Sequence, residues 1–240
     1  MPRPLAVAFA FLTRLPVARG PVDELSLGRS VAWFPLVGAA LGAIQLVAAH
    51  LLDGALSSSL LAIALVALHA ALTGGFHLDG IADLFDALGG GRGQRDRMLA
   101  ILRDSRIGAH GALALSLVLA GKLVATADLL GRGIFWPLYA APVAARWAVV
   151  PLVVAFPCAR PEGLGRSFHD HAGAAQLVGA TAVTALLLLG IGSSAVIPFA
   201  CAVLAALALA VYLHRHLGGL TGDVYGAAIE TAELIFLVVA

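Results

Sequence analysis

The chain has 240 residues, of which 60% are hydrophobic and 12% charged, with 15 Lys and Arg against 14 Asp and Glu and a mean hydropathy of +0.96. Soluble domains carry roughly 45–50% apolar and about 25% charged residues, so a soluble globule is excluded. A disordered chain is excluded as well, and so is a nucleic-acid-binding protein, which needs a basic field for the phosphate backbone. What remains is an all-α, polytopic transmembrane helical bundle, because a barrel would show short alternating segments in place of long apolar runs.

The opening MPRPLAVAFAFLTRLPV has Arg14 after its apolar stretch and no small-residue cleavage site, so 5–12 is expected as a short interfacial helix. A crossing needs about 20 apolar residues. Runs 31–52 and 54–76 are free of Asp, Glu, Lys and Arg and are separated by Asp53, which predicts a helical hairpin. After the polar stretch 77–106, a span is expected at 107–127, with Lys122 near its end, and another at 133–156, with Arg146 near its middle. The uncharged 172–213 is long enough for two helices, 172–190 and 195–213, turning at GIGSS. The last run, 224–240, is interrupted by Glu230 and Glu233. The expectation is one integral-membrane domain, 1–240, with about seven spans and short cytoplasmic and interfacial helices. Cys158 and Cys201 read as small apolar residues, without disulfide or zinc spacing.

The loop cations set an orientation. With the N-terminus inside, twelve arginines share one side: Arg3, Arg14, Arg19, Arg29, Arg92, Arg95, Arg97, Arg103, Arg106, Arg160, Arg166 and Arg215. Arg132 stands alone on the other. Every long polar loop therefore falls on the cytoplasmic face. No internal repeat of the kind many transporters carry is evident.

Three constellations lie on that face. In HLDGIADLFD, helical geometry puts Asp79, Asp83 and Asp86 within roughly 60° of one another. Ile81, Leu84, Phe85 and Leu88 lie opposite. A stripe of like charges persists when something positive sits against it, and oxygen-only ligands favour a hard divalent cation, Mg²⁺ or Mn²⁺; a solvated helix face is the plainer alternative. Gly89-Gly-Gly91 ends that helix, and another short one starts at 98–102. In RDSRIGAHG, Asp104 could complete the carboxylates. Arg103 and Arg106, three apart and on one side if helical, could clamp a phosphate, or the segment is a positive anchor. In GGLTGD, a flexible loop runs into a helix start where backbone amides can hold phosphate oxygens. Asp223 shares a helix face with Glu230. Glutamates inside a membrane helix are functional by default; Arg146 or Lys122 could also be their structural partners. His50 and His69 read as hydrogen-bonded core residues, His169 and His171 as loop residues beside Asp170, and His214 and His216 as an interfacial cluster.

HLDGIADLFDALGGG at 77–91, DSRIGAHG at 104–111 and GGLTGDVYGAAIE at 218–230 closely resemble the signature segments of the cobalamin synthase (adenosylcobinamide-GDP ribazoletransferase) family. FLTRLPV at 11–17, LGRSVAWFPLVGAALG at 27–42 and RPEGLG at 160–165 fit it too. The resemblance implies transfer between adenosylcobinamide-GDP and α-ribazole, or its 5′-phosphate, with release of GMP. A ribose hydroxyl attacks the phosphate attached to cobinamide. It also implies dependence on Mg²⁺, with Mn²⁺ as a substitute, and a place in the bacterial inner membrane, in contact with the lipid bilayer. Residues and resemblance together place Asp79, Asp83, Asp104 and Arg106 as catalytic. His77, Arg103, Ser105, Arg166, Thr221, Asp223 and Glu230 are placed on the substrates, and Asp79, Asp83, Asp86 and Asp104 on the metal. A homo-oligomer is left open. Two other readings stand beside this one. A CDP-alcohol-type phosphotransferase is opposed by the missing Arg in its Asp-Gly-x-x-Ala-Arg pattern. An ion-coupled transporter using Glu230, Glu233 and Arg146 is opposed by the bare outer face.

Overall fold

The computed structural model describes residues 2–17 and 20–240, the side chain of Leu164 aside. Arg19, counted above for orientation, lies outside the described residues. Apolar runs become helices wherever a cap or glycine can end them. Along the chain they are α1 (Arg3–Leu12), α2 (Glu24–Ser30), α3 (Phe34–Leu52), α4 (Ser58–Thr73), α5 (Phe76–Gly91) and α6 (Arg95–Ile101). Then come α7 (Ala109–Gly131), α8 (Trp136–Ala155), α9 (Leu164–His171), α10 (Ala174–Leu188), α11 (Val196–Leu217) and α12 (Gly222–Val239). Short 3₁₀ segments join α2 to α3 and α10 to α11, and the described residues contain no strand. Side chains start three of these helices: Asp23 accepts from the Ser26 amide, Ser57 from Leu60 and Thr221 from Val224.

The expected runs all appear as helices, but fewer are suited to cross a bilayer. Among the described residues four stretches are long and apolar enough: Glu24–Leu52, Ala109–Gly131, Trp136–Ala155 and Ala174–Leu217. A fifth is added if α4 and α5 count as one broken span. The expected 54–76 crossing is cut short because Gly74 and Gly75 both take positive φ, 70° and 71°, and α5 leaves α4 at 90°. The 16 residues of α4 reach about 24 Å at 1.5 Å each, less than the roughly 30 Å of hydrocarbon. The 44-residue stretch Ala174–Leu217 breaks at Gly192, where φ is 72° and ψ −151°, within the expected turn. Trp147 of α8 then meets both halves, donating to Thr181 of α10 at 3.0 Å and packing on Phe199 of α11. The run at 224–240 carries its acids inward: α12 is packed by α5, α7, α8 and α11.

Close helix approach depends on glycine. Gly38 and Gly42 of α3 face the backbone of α8; a Cβ on them would stand 2.3 Å from Pro142 O and 2.5 Å from Tyr139 O. This small-xxx-small spacing is the usual means of bringing membrane helices together. Gly80 of α5 does the same against α12, with a Cβ position 2.6 Å from Asp223 O.

Charges inside the bundle neutralise one another. Lys122 of α7 donates to Glu230 and, at 2.7 Å, to Glu233, both on α12. Arg146 of α8, wholly buried, is paired with Glu233. His69 of α4 places Nε2 3.3 Å from Glu233, while its Nδ1 meets Gln45 Nε2 of α3 at 2.8 Å. Two cations and two carboxylates thus balance, and five helices are tied at one level. Removing one member of a buried pair typically costs about 3–5 kcal/mol, because the partner is left charged and unsolvated. Lys122→Met is therefore expected to lower stability by about that amount. Lys122→Met combined with Glu230→Gln should recover much of it, since Arg146 and Glu233 still match. Thermal unfolding of the two variants in detergent checks this; equal losses would show that the ions are not coupled.

Candidate active site

The three constellations converge at one end of the bundle. Asp79 and Asp83 stand one turn apart on α5. Gly80, between them on α5, packs against the first turn of α12, where its Cβ position would meet Asp223 O. Asp83 feels the like charges of Asp79, Asp223 and Asp86, with Arg160 as the opposing cation. Among the described residues, neither Asp79 nor Asp83 has a hydrogen-bond or ion-pair partner for its carboxylate. Asp79 is exposed and Asp83 half-buried. The opposite face is as expected for Ile81 and Leu84, which are buried, but Phe85 is 40% exposed.

Asp86 is engaged differently. Its two oxygens accept from the backbone amides of Gly108 and Gly111, at 2.6 and 2.8 Å. It closes the N-terminus of α7 as a charge-assisted cap. This explains the glycines of the second motif: a Cβ on Gly111 would stand 2.3 Å from Asp86 Oδ2. Asp104 is also occupied. Arg106 donates to both its oxygens, from Nε at 2.9 Å and Nη2 at 2.6 Å, and these bonds hold the Asp104 carboxyl down at about 2. Residues 103–108 lie between α6 and α7 and are not helical, so the expected helical alignment of Arg103 with Arg106 does not exist. Ser105, Arg103 and Arg106 are all exposed.

The third motif is pinned. Gly218 ends α11 with φ 73°, Leu220 N donates to Pro157 O and Ala159 N donates to Leu220 O, both at 2.8 Å. Gly219 is required by this bridge, since its Cβ position is 2.6 Å from Pro157 O. Thr221 is buried and caps α12. The loop expected to be flexible is held on both sides by backbone hydrogen bonds.

Two arginines join these parts, and neither was among the expected site residues. Arg160 donates through Nη2 to Asp223 at 2.9 Å and to Leu102 O at 3.0 Å, linking the third motif to the chain just before Arg103. Arg95 donates to Leu217 O at 2.7 Å and Ala159 O at 3.2 Å, fixing α6 to the end of α11. The RPEGLG segment was the signal that could have singled out Arg160. Other expected substrate residues lie apart. Arg166 is exposed and paired with Asp170 at 2.6 Å. Glu230 is buried in the ionic cluster, bound to Lys122. His77 is buried at 6% exposure, its Nδ1 without a hydrogen-bond partner. His169 and His171 turn their Nδ1 atoms to backbone carbonyls, Val153 O and Ser167 O.

Among the described residues, no three His, Cys, Asp or Glu side chains form a group able to hold a metal ion. Among the described residues the carboxylates left without a partner are Asp79 and Asp83, whose donor atoms are all oxygen, the type a hard cation takes. Mg²⁺ is usually held by one or two carboxylates and completed by substrate phosphates and water, without an all-protein cage.

A family profile described as Cobalamin-5-phosphate synthase matches residues 4–240. The chain is 40% identical over 237 residues to the adenosylcobinamide-GDP ribazoletransferase of Syntrophobacter fumaroxidans, covering 97% of this chain and 94% of that protein. It is 41% identical over 242 residues to the protein of that name from Pseudomonas aeruginosa, covering 98% and 96%. For that from Escherichia coli the identity is 40% over 236 residues, covering 95% of each. No solved structure matches.

If Asp86 serves α7 as a cap, Asp86→Ala should cost about 0.5–2 kcal/mol of stability, the range for a lost helix cap. Backbone amide exchange should rise locally at 108–111. Hydrogen exchange read by mass spectrometry checks this, and unchanged protection there would remove the capping role.

Proposed function

The chain belongs to the cobalamin-5-phosphate synthase family, and on that footing we propose how its polar face carries the chemistry. It is a membrane-embedded transferase of the final stage of cobalamin assembly, acting on adenosylcobinamide-GDP and a ribazole. A ribose hydroxyl of α-ribazole, or of its 5′-phosphate, attacks the phosphorus attached to cobinamide. The new P–O bond forms as the anhydride bond breaks, and GMP departs.

The observation that carries this reading is the pair of carboxylates without partners, Asp79 and Asp83, set where all three motifs meet. Asp79 and Asp83 would hold Mg²⁺, or Mn²⁺ in its place, against the diphosphate. When bound, such a cation neutralises the charge that builds on the phosphate oxygens and on the departing GMP. Arg160 keeps Asp223 and the chain at Leu102 together, and Arg103 and Arg106, which follow Leu102, would border the same space. Guanidinium groups there suit the planar, bidentate recognition of phosphate. Catalysis of this kind is mainly positioning and electrostatics, which suits a site of fixed helix ends.

Purified protein should release GMP from adenosylcobinamide-GDP only when α-ribazole and a divalent cation are both supplied. Asp79→Asn and Asp83→Asn should each reduce the rate on the order of 10²-fold or more, the scale of losing one electrostatic stabiliser, with thermal stability kept. Wild-type rates in both variants would sink the assignment of these two residues.

The same reading puts the polar face in the cytoplasm and the chain in the bacterial inner membrane, supported by the arginine asymmetry. A single cysteine at Gln94, in a chain whose Cys158 and Cys201 are alanine, should resist an impermeant maleimide in intact cells. It should react once the membrane is opened. Labelling of intact cells would reverse the orientation.

A further inference from the structure

Next to the acids lies a cavity of about 380 Å³, bounded by α1, α3, α5, α8, α9 and α12. We propose that it receives the aromatic base of the ribazole substrate, with Tyr225 and His77 as its polar contacts; this rests on the transferase reading above.

The walls argue for a flat aromatic guest. Phe11, Phe34 and Phe168 come from three separate elements and meet at the cavity, with ring centroids 4.6 to 6.1 Å apart. Such a wall offers faces and edges against which another ring can pack. The volume falls in the range of about 300–1,000 Å³ found for small-molecule pockets, which are mostly apolar with a few placed polar groups.

The polar groups are here. Tyr225 and His77 both line the cavity. They are 5% and 6% exposed, and neither Tyr225 Oη nor His77 Nδ1 has a hydrogen-bond partner. A buried polar atom left unpaired costs about 1–3 kcal/mol, so such atoms are rare and call for a reason. Two of the five found among the described residues belong to side chains that line this one apolar cavity, where a polar-edged ring would find partners for them.

The hydrogen-bonding pattern selects the base. A benzimidazole joined to ribose through one nitrogen keeps a single in-plane lone pair on the other and has no N–H. It therefore asks for a donor, and the Tyr225 hydroxyl is one. Guanine carries N–H donors that call for an acidic or carbonyl acceptor, and no carboxylate lines this cavity. Placement agrees. His77 precedes Asp79 by two residues, and Tyr225 follows Asp223 by two, so a base in the cavity hands its ribose toward the acids.

Two variants test the cavity without touching the acids. Tyr225→Phe removes the donor and keeps the ring. Gly165→Leu fills the space, and its Cβ is tolerated because the nearest atoms would be 3.6 to 3.8 Å away. Calorimetric binding of α-ribazole to the full chain in lipid nanodiscs, with GMP release in parallel, gives the readout. Tyr225→Phe is expected to weaken α-ribazole roughly 2–10-fold, the scale of one neutral hydrogen bond, and Gly165→Leu more than that. The KM for adenosylcobinamide-GDP should stay put in both. Tyr225→Phe should also melt no lower than the parent, since an unpaired hydroxyl is lost. Unchanged α-ribazole affinity in both folded variants, or a matching rise in KM for adenosylcobinamide-GDP, would overturn the proposal. A parent protein that binds α-ribazole but releases no GMP would instead count against the transferase reading.

Discussion

Everything at the polar face depends on the ionic cluster in the middle of the bundle. α12 carries Asp223 and Tyr225 at one end and Glu230 and Glu233 further in, so whatever fixes the glutamates fixes the aspartate. Lys122, Arg146 and His69 reach them from three different helices. A buried ion pair contributes little net stability compared with an apolar replacement. Its value is registry. Sliding α12 by one turn would move each glutamate about 5.4 Å from its cation, leaving charges unpaired where water cannot reach them. The alternative registers are thereby excluded, and Asp223 is delivered to α5 at the level of Gly80.

The aspartates of the site then divide by surroundings. Asp86 faces two backbone amides and Asp104 a guanidinium, so both are satisfied within the protein. Asp79 and Asp83 have no such partner among the described residues; Asp83 has Asp79, Asp86, Asp223 and the already engaged Arg160 nearby. Side chains of one chemical type thus take different work, and the difference is made by glycines. Gly108 and Gly111 let Asp86 sit against the start of α7, and Gly80 lets α12 close on α5. Larger residues at these places would push the helices apart and free Asp86, at the cost of the cap.

Much of this was legible in the residues because a membrane forbids compromise. Uninterrupted apolar runs had to be helices, and Arg146 or Lys122 stood as one open choice of partner for the buried glutamates, although Glu230 was also read as a substrate residue. The same logic was blind to tertiary geometry. Gly74 and Gly75 looked like the end of a span, since nothing in their neighbours announces a right-angle bend. Asp86 and Asp104 looked like ligands because composition does not reveal which acids are already hydrogen-bonded. Arg95 and Arg160 looked like topological arginines, yet each donates to two distant partners across loops. Phe11, Phe34 and Phe168 share no spacing; only the fold makes them one wall.

A site with two free carboxylates and no cage makes sense for a substrate that brings its own anion. A cage of three or four carboxylates would hold a cation tightly without substrate and would have to bury several like charges together. With Asp79 exposed and Asp83 half-buried, that repulsion is lowered, because the high dielectric screens it. On the proposed reading the diphosphate would supply the remaining oxygens, so a cation would be fully held only with the reacting group in place. Stabilisation that appears with the substrate and grows as charge develops is the kind that accelerates reaction and not merely binding. The rigid parts of the face, the bridge at 157–159 with 218–220 and the cap on α7, hold the two carboxylates at fixed positions for that moment. Orientation is settled by folding before either substrate arrives.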